Sequence, residues 1–217
     1  MNTTQYTGEH LWPGQLGQFF VITAFIASLF SAFSYFRAVG TEKKNLVDSA
    51  SWQTLGRGGF VIHAISIFGI FATLYYIIAS HLFEYHYAWE HSSLALPAKY
   101  LLSCFWEGQQ GSFMLWAFWH SVLGLIVMRT AGVLETRTMA IIALVQACIG
   151  SMLLGFYFGS DIEVGKTPFM LLRTAMQDAP IFSSANYMSF IHDGNGLNPL
   201  LQNYWMVIHP PIIYLYG

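Results

Sequence analysis

Charge is what this chain has least of. Asp, Glu, Lys and Arg together make up 9% of its 217 residues, against roughly 25% in soluble domains. A soluble protein of this size needs more polar surface than that to cover its core, so the chain reads as an integral membrane protein. The formal net charge of −2 and the lack of any basic stripe argue against a nucleic-acid role. Cysteine is scarce too, with only Cys104 and Cys148. No C-x-x-C, metal-type cysteine pair or C-x-x-C-H occurs, so the chain is neither a c-type cytochrome nor a CxxC thiol oxidoreductase. The two thiols are expected to be unpaired on apolar surface, a lone disulfide being the alternative. Internal repeats and low-complexity tracts are absent. The first fifteen residues are polar without a basic n-region, so no cleavable signal peptide is expected.

What the chain has in quantity is apolar and aromatic side chains, 55% and 17% of it. They gather into runs long enough, at ~1.5 Å per residue, to cross a ~30 Å hydrocarbon core. Spans are expected at about 16–36, 58–80, 111–128 and 138–160, with a further one starting at 205–217. The fold class that follows is all-α: a polytopic transmembrane helix bundle of four full spans plus the start of a fifth, forming a single membrane domain over 1–217. Between the spans lie two long loops, 81–110 and 161–204. Cations concentrate in the short connections, with Arg37, Lys43, Lys44 and Arg57 in one and Arg129 and Arg137 in the other. The positive-inside rule places these in the cytoplasm, and the N-terminus and both long loops outside. Each long loop is expected to carry a short helix lying in the membrane interface. One starts at Pro97, with Leu101, Leu102 and Phe105 on one side. The other is capped by Thr167-Pro168, with Phe169, Leu172 and Met176 on one face.

Histidine is the chemically interesting residue here. His81, His86 and His91 are spaced by five, which turns each by about 140° from the last on a helix, so they make no helical metal box. His192 sits in the turn-like IHDGNG. His63 and His120 fall inside expected spans, at depths differing by roughly 10 Å. They are read as interhelical hydrogen-bond formers, the alternative being a site for quinone, a proton or a transmembrane haem. His209 directly precedes two prolines. A residue before proline is steered away from helical geometry and proline suits a helix's first turn, so His209 is expected at the mouth of a helix beginning near Pro210. A neutral imidazole there is suited to ligating haem iron or another metal; capping that helix is the plainer alternative.

Three blocks carry a resemblance to a known family. LNPLLQ (from Leu197) followed by HPPIIYLYG (from His209), the Trp106-Glu107-Gly108-Gln109-Gln110-Gly111-Ser112 stretch, and Thr167-Pro168-Phe169 resemble, in order and spacing, the CcmF-type cytochrome c haem lyases of cytochrome c maturation. The family usually shows W-G-x-x-E-G-S in the second block and N-P-F in the third. Gln110 thus stands where the family normally has a carboxylate, with Glu107 three positions earlier. The resemblance implies a bacterial inner-membrane, multi-pass protein that holds a transiently bound b-type haem at its outer face for thioether attachment to apocytochrome c. It implies a haem chaperone and other maturation proteins as partners, besides membrane lipid.

By the same resemblance His209 is an axial ligand of haem iron, and Trp106, Glu107 and Gln110 are candidate cofactor-binding residues; no catalytic acid or base is assigned. The glycines at 108 and 111 permit close approach to another helix or to a flat macrocycle. Trp106 is a stacking partner for that macrocycle or part of a membrane belt. The family's Trp-rich outer loop with a W-W-D core is not among these residues, so the chain is expected to be the N-terminal portion of a longer protein. The competing reading is a membrane redox or proton-handling subunit that binds quinone within the bundle through His63 and His120.

Overall fold

The computed structural model describes the backbone of residues 6–158 and 162–216 and the side chains of 6–156 and 164–215. Its helices are α1 (Leu11–Thr41), α2 (Leu46–Ala79), α3 (His86–His91), α4 (Ser103–Glu107), α5 (Gln109–Thr130) and α6 (Glu135–Ser151). A short antiparallel pair, β1 (Phe156–Phe158) and β2 (Ile162–Val164), then precedes α7 (Leu172–Ala175) and α8 (Tyr204–Tyr216). The fold is the expected all-α helix bundle apart from that hairpin. Four helices, α1, α2, α5 and α6 with its preceding turn, are long and apolar enough to cross a membrane. Their outward faces carry large apolar side chains such as Phe19, Ile26, Phe33 and Ile65, each more than half exposed. That pattern suits lipid as the surrounding solvent.

The described residues gather into two compact units. One comprises those of Gln18–Phe71 and Phe113–Lys166. The other comprises those of Met1–Gly17, Ala72–Ser112 and Thr167–Gly217.

The first unit is built on small side chains. Ala24, Ala27, Ser28, Ser31, Ala32 and Ala38 are buried along α1 at helical spacing, which lets neighbouring backbones come close, as association in lipid requires. Tyr35, Phe60, Met139, Ala140 and Ala143 fill the space beside Ala32. Two polar arrangements lie within it. Arg57 on α2 meets Glu135 on α6 through two parallel bonds, Nε to Oε1 at 2.7 Å and Nη2 to Oε2, while the Tyr35 hydroxyl donates to Oε1 at 3.3 Å. Deeper in, the Gln146 amide donates to the Ala117 carbonyl (2.8 Å) and to Ser121 Oγ (3.0 Å). Ser121 faces His63 Nε2 (3.3 Å), and His63 Nδ1 faces the Ala24 carbonyl (2.9 Å). The single Ser121 hydroxyl hydrogen has two acceptors in reach, the Ala117 carbonyl at 2.7 Å and His63 Nε2 at 3.3 Å.

Helix limits differ most from expectation in two places. The second helix starts at Leu46, twelve residues before the expected span at 58, because its first turns carry Asp48, Gln53 and Arg57 outside the apolar run. His63 therefore lies near mid-helix, and Ser121, the neighbour of His120, reaches it; the expected ~10 Å offset in depth does not hold. The fourth helix stops at Ser151, not at 160. Met152, Leu153 and Leu154 bond back three residues, and Gly155 at φ +62 turns the chain into β1, a conformation glycine adopts without Cβ strain. Apolarity alone does not mark that end.

In the second unit, residues from the two long loops are joined through backbone bonds, His86 N–H to the Met170 carbonyl at 2.9 Å and Leu172 N–H to the Glu84 carbonyl at 2.7 Å. The N-terminal lead is tied to them. Glu84, almost wholly buried, accepts from His10 N–H (2.9 Å) and lies 3.1 Å from its Nδ1. Glu9 accepts from Arg173 Nε (2.7 Å) and the Tyr187 hydroxyl (2.6 Å). Burial, then the Glu9 carboxylate, raises the Tyr187 hydroxyl well above the ordinary phenol range, so it remains a donor. Thr167 does not cap a helix: its Oγ1 accepts from Phe169 N–H in a local turn, and α7 is confined to Leu172–Ala175. Leu102 and Met176, each on the apolar side of its loop segment, are exposed. Both cysteines are free thiols, Cys104 buried and Cys148 exposed.

Replacing Arg57 by Met leaves the buried Glu135 carboxylate without its cation. It should cost about 3 kcal/mol, read as a lower melting temperature in detergent, while adding Glu135→Leu should recover most of the loss. Equal melting of Arg57→Met and the parent protein would contradict this account of the ion pair.

Candidate functional site

The site is built where the two motif blocks meet. Asn203 opens α8: its Oδ1 accepts from Met206 N–H at 3.1 Å, the arrangement of an N-cap. The helix therefore starts at Tyr204, six residues before the expected start at Pro210, and carries Pro210 and Pro211 inside it. His209 is not at its mouth but within it, and is exposed. Its ring has no hydrogen-bond or ion-pair partner among the described residues, which leaves an imidazole nitrogen available to a ligand.

Prolines inside a helix need an account. Residue 210 would ordinarily donate to the carbonyl of residue 206, but proline has no N–H and its ring crowds that carbonyl. The Met206 carbonyl instead accepts from Trp106 Nε1 at 2.7 Å. Trp106 sits near the end of α4, and the next residue takes hold of the same chain segment further back. Glu107 lies 3.1 Å from His91 Nδ1 through Oε2 and accepts from Asn198 N–H at 3.4 Å through Oε1. Asn198, Met206 and His209 all belong to the LNPLLQ–HPP block. The two family-like motifs are thus physically joined, through residues 106 and 107.

The glycines of the Trp106–Ser112 stretch are filled by the chain's own side chains. A Cβ at Gly108 would meet His91 Nε2 and Tyr87, and one at Gly111 would overlap the Phe105 carbonyl and the Tyr87 hydroxyl. Tyr87 is held there by donating to the Phe105 carbonyl at 2.7 Å; complete burial raises its hydroxyl far above the usual phenol range. Cys104, next to it, is pushed up to about 12 by burial and then by Glu107, so it is an unreactive thiol. Gln110 lies half-buried on the first turn of α5.

The structure brings together Trp106, Glu107 and the segment around His209. His192 is exposed on its turn, where neighbouring Asp193 accepts from Leu94 N–H at 2.8 Å. His86 faces Glu90, and His81 adopts φ +52. No group of three metal-ligating side chains occurs among the described residues. In the other unit His63 has both ring nitrogens engaged, whereas His120 stacks on Trp116 (centroids 6.2 Å apart) with Nδ1 buried and unpaired. Sequence reasoning missed His91 as the partner of Glu107. It also missed Asn203, whose spacing to Met206 is the signal that would have set the helix start.

A helical bundle with four helices long and apolar enough to cross a membrane defines a multi-pass membrane protein. This chain is similar in sequence to the CcmF-type cytochrome c-type biogenesis proteins. It is 27% identical to the CcmF protein of Haemophilus influenzae over 205 residues, 93% of this chain and 27% of that protein. It is 29% identical to that of Pseudomonas fluorescens over 79% of this chain and 22% of that protein. Over 58% of this chain and 16% of the relative, it is 32% identical to the cytochrome c-type biogenesis protein CycK of Bradyrhizobium diazoefficiens. The chain spans about a quarter of the length of the curated relatives it matches first. No family model and no solved structure matches it.

Gly111→Ala should destabilise the protein by about 2 kcal/mol, since the new methyl must displace Tyr87 or the Phe105 carbonyl. Gly40→Ala, an exposed helical position with open space around its Cβ, should be neutral or gain up to ~1 kcal/mol. Thermal melting of the two variants checks this, and equal effects would contradict the packing described.

Proposed function

We propose that the chain works in cytochrome c maturation as part of a membrane haem lyase, holding haem at the outer face of the bacterial inner membrane for thioether attachment to apocytochrome c. The observation that carries the reading is His209: an exposed imidazole with no partner among the described residues, on a helix fixed by the Asn203 cap and the Trp106 bond. The relatives' names point to the same process. The cations at the α1–α2 and α5–α6 connections support an orientation with the N-terminus and the His209 region on the periplasmic side. Haem is a b-type substrate here, transiently bound, delivered by a haem chaperone and passed on with other maturation proteins.

In this reading His209 has a positioning role. A neutral imidazole ligates the iron, and fixing the iron fixes the vinyl groups at the edge of the ring relative to the incoming thiols. Each cysteine of an apocytochrome C-x-x-C-H then adds its S–H across one vinyl double bond. The carbon–sulfur bond forms, the π bond breaks, the thiol proton goes to the other vinyl carbon, and no electron is gained or lost. Glu107 and Gln110 are assigned places beside this site, Glu107 through His91 and Asn198.

His209→Ala in the full-length protein is expected to abolish holocytochrome c formation while membrane insertion is unchanged; His120→Phe should leave haem attachment intact. Haem staining of cytochrome c in cells carrying each variant decides. Normal staining with His209→Ala sinks the lyase reading, and loss with His120→Phe favours a site for quinone or protons inside the bundle.

A further inference from the structure

Trp106 has two sequence-level readings, a platform for stacking on haem or a membrane-belt residue. Neither uses its single polar atom. The indole is a donor only, with one N–H, and that N–H is committed to the Met206 carbonyl at 2.7 Å. This carbonyl is the one that Pro210 deprives of its intrahelical donor. A carbonyl shielded from water and without a donor costs free energy, so a helix with proline at this point gains stability when another group supplies the bond. Trp106 supplies it one helical turn before His209, at the place where the helix is weakest and most free to bend.

We infer that Trp106 is a positioning residue for His209, its indole N–H replacing the N–H that Pro210 lacks and so fixing the direction in which the histidine helix leaves its cap. The inference rests on the reading of His209 as a haem ligand. Four further contacts make Trp106 a firm anchor. The backbone beside it is tied down where the Cys104 and Phe105 carbonyls accept from the Tyr87 hydroxyl (3.1 and 2.7 Å). Its own carbonyl accepts from Ser112 Oγ at 3.4 Å. Glu107, adjacent in sequence, accepts from Asn198 N–H, so the chain entering α8 and the helix itself are gripped from one short element. Proline next to the ligand and tryptophan opposite it then form one device. The first opens a carbonyl, and the second closes it from outside the helix.

The device makes a specific prediction about pairs of substitutions. Trp106→Phe keeps an aromatic platform and removes only the donor and the outer ring. Pro210→Ala restores an N–H that can reach Met206 from within the helix. The two substitutions should therefore not add. The full-length protein would be purified in detergent as the parent, Trp106→Phe, Pro210→Ala and the double variant. Each would be melted and titrated with hemin while the axial-ligand spectrum is recorded.

Trp106→Phe alone is expected to lower the melting temperature by roughly 2–8 °C and to weaken hemin binding by about tenfold. In the Pro210→Ala background the same substitution should have less than half of either effect. Equal losses in both backgrounds, or no loss in either, would overturn the inference, and equal hemin losses without melting losses would favour stacking. If Trp106→Phe does not fold at all, a folded double variant supports the inference and an unfolded one contradicts it. His209→Ala separates this claim from the one beneath it. Should that variant bind hemin with an unaltered spectrum, the ligand reading fails, while non-additive melting would still establish the Trp106–Pro210 coupling.

Discussion

A single backbone carbonyl, that of Met206, holds the most informative part of this protein together. The chain sets two prolines immediately after a histidine, and the first of them leaves that carbonyl without its helical donor. Lipid or protein interior offers no water to fill the gap. The Trp106 indole does so from a different element, and the cost of proline inside the helix becomes a cross-link between two motifs far apart in sequence. The exposed side of α8, with His209 on it, is what that cross-link presents outward.

A comparable economy governs the buried polar groups of the other unit. His63, Ser121 and Gln146 are fully buried and come from three helices, with the Ala24 carbonyl supplied by a fourth. Each makes at least one bond to another helix, as burial in a medium without water demands. With Nδ1 on the Ala24 carbonyl and Nε2 facing Ser121, His63 is a crosspiece between helices. Only Gln146 Oε1 lacks a partner among the described atoms of this chain of bonds.

Much of the architecture was legible in the sequence because its signal is coarse. Twenty apolar residues without charge must be a helix in a membrane, and four such runs gave four helices. The ends were not legible. Leu46–Arg57 is polar enough to read as a loop, yet continues α2 because Arg57 finds Glu135. Met152–Phe158 is apolar enough to read as span, yet leaves the helix because Gly155 turns it. At the site, the residues were readable as a set and their contacts were not. The block around Trp106 and the block around His209 stood out by resemblance, but nothing in the spacing says that an indole meets a carbonyl 100 residues away. The buried acids Glu9 and Glu84 were missed for a similar reason: their partners, Arg173, Tyr187 and His10, lie in distant segments.

The central question for this protein is whether His209 presents its imidazole to haem iron. Replacing it by glycine leaves a gap of imidazole size, so the direct measurement is the absorption and electron-paramagnetic spectrum of the haem-loaded His209→Gly protein with and without free imidazole. The account predicts that the imidazole-ligated signature is lost on substitution and returns when imidazole is added. A signature that persists in the variant without added imidazole would contradict it.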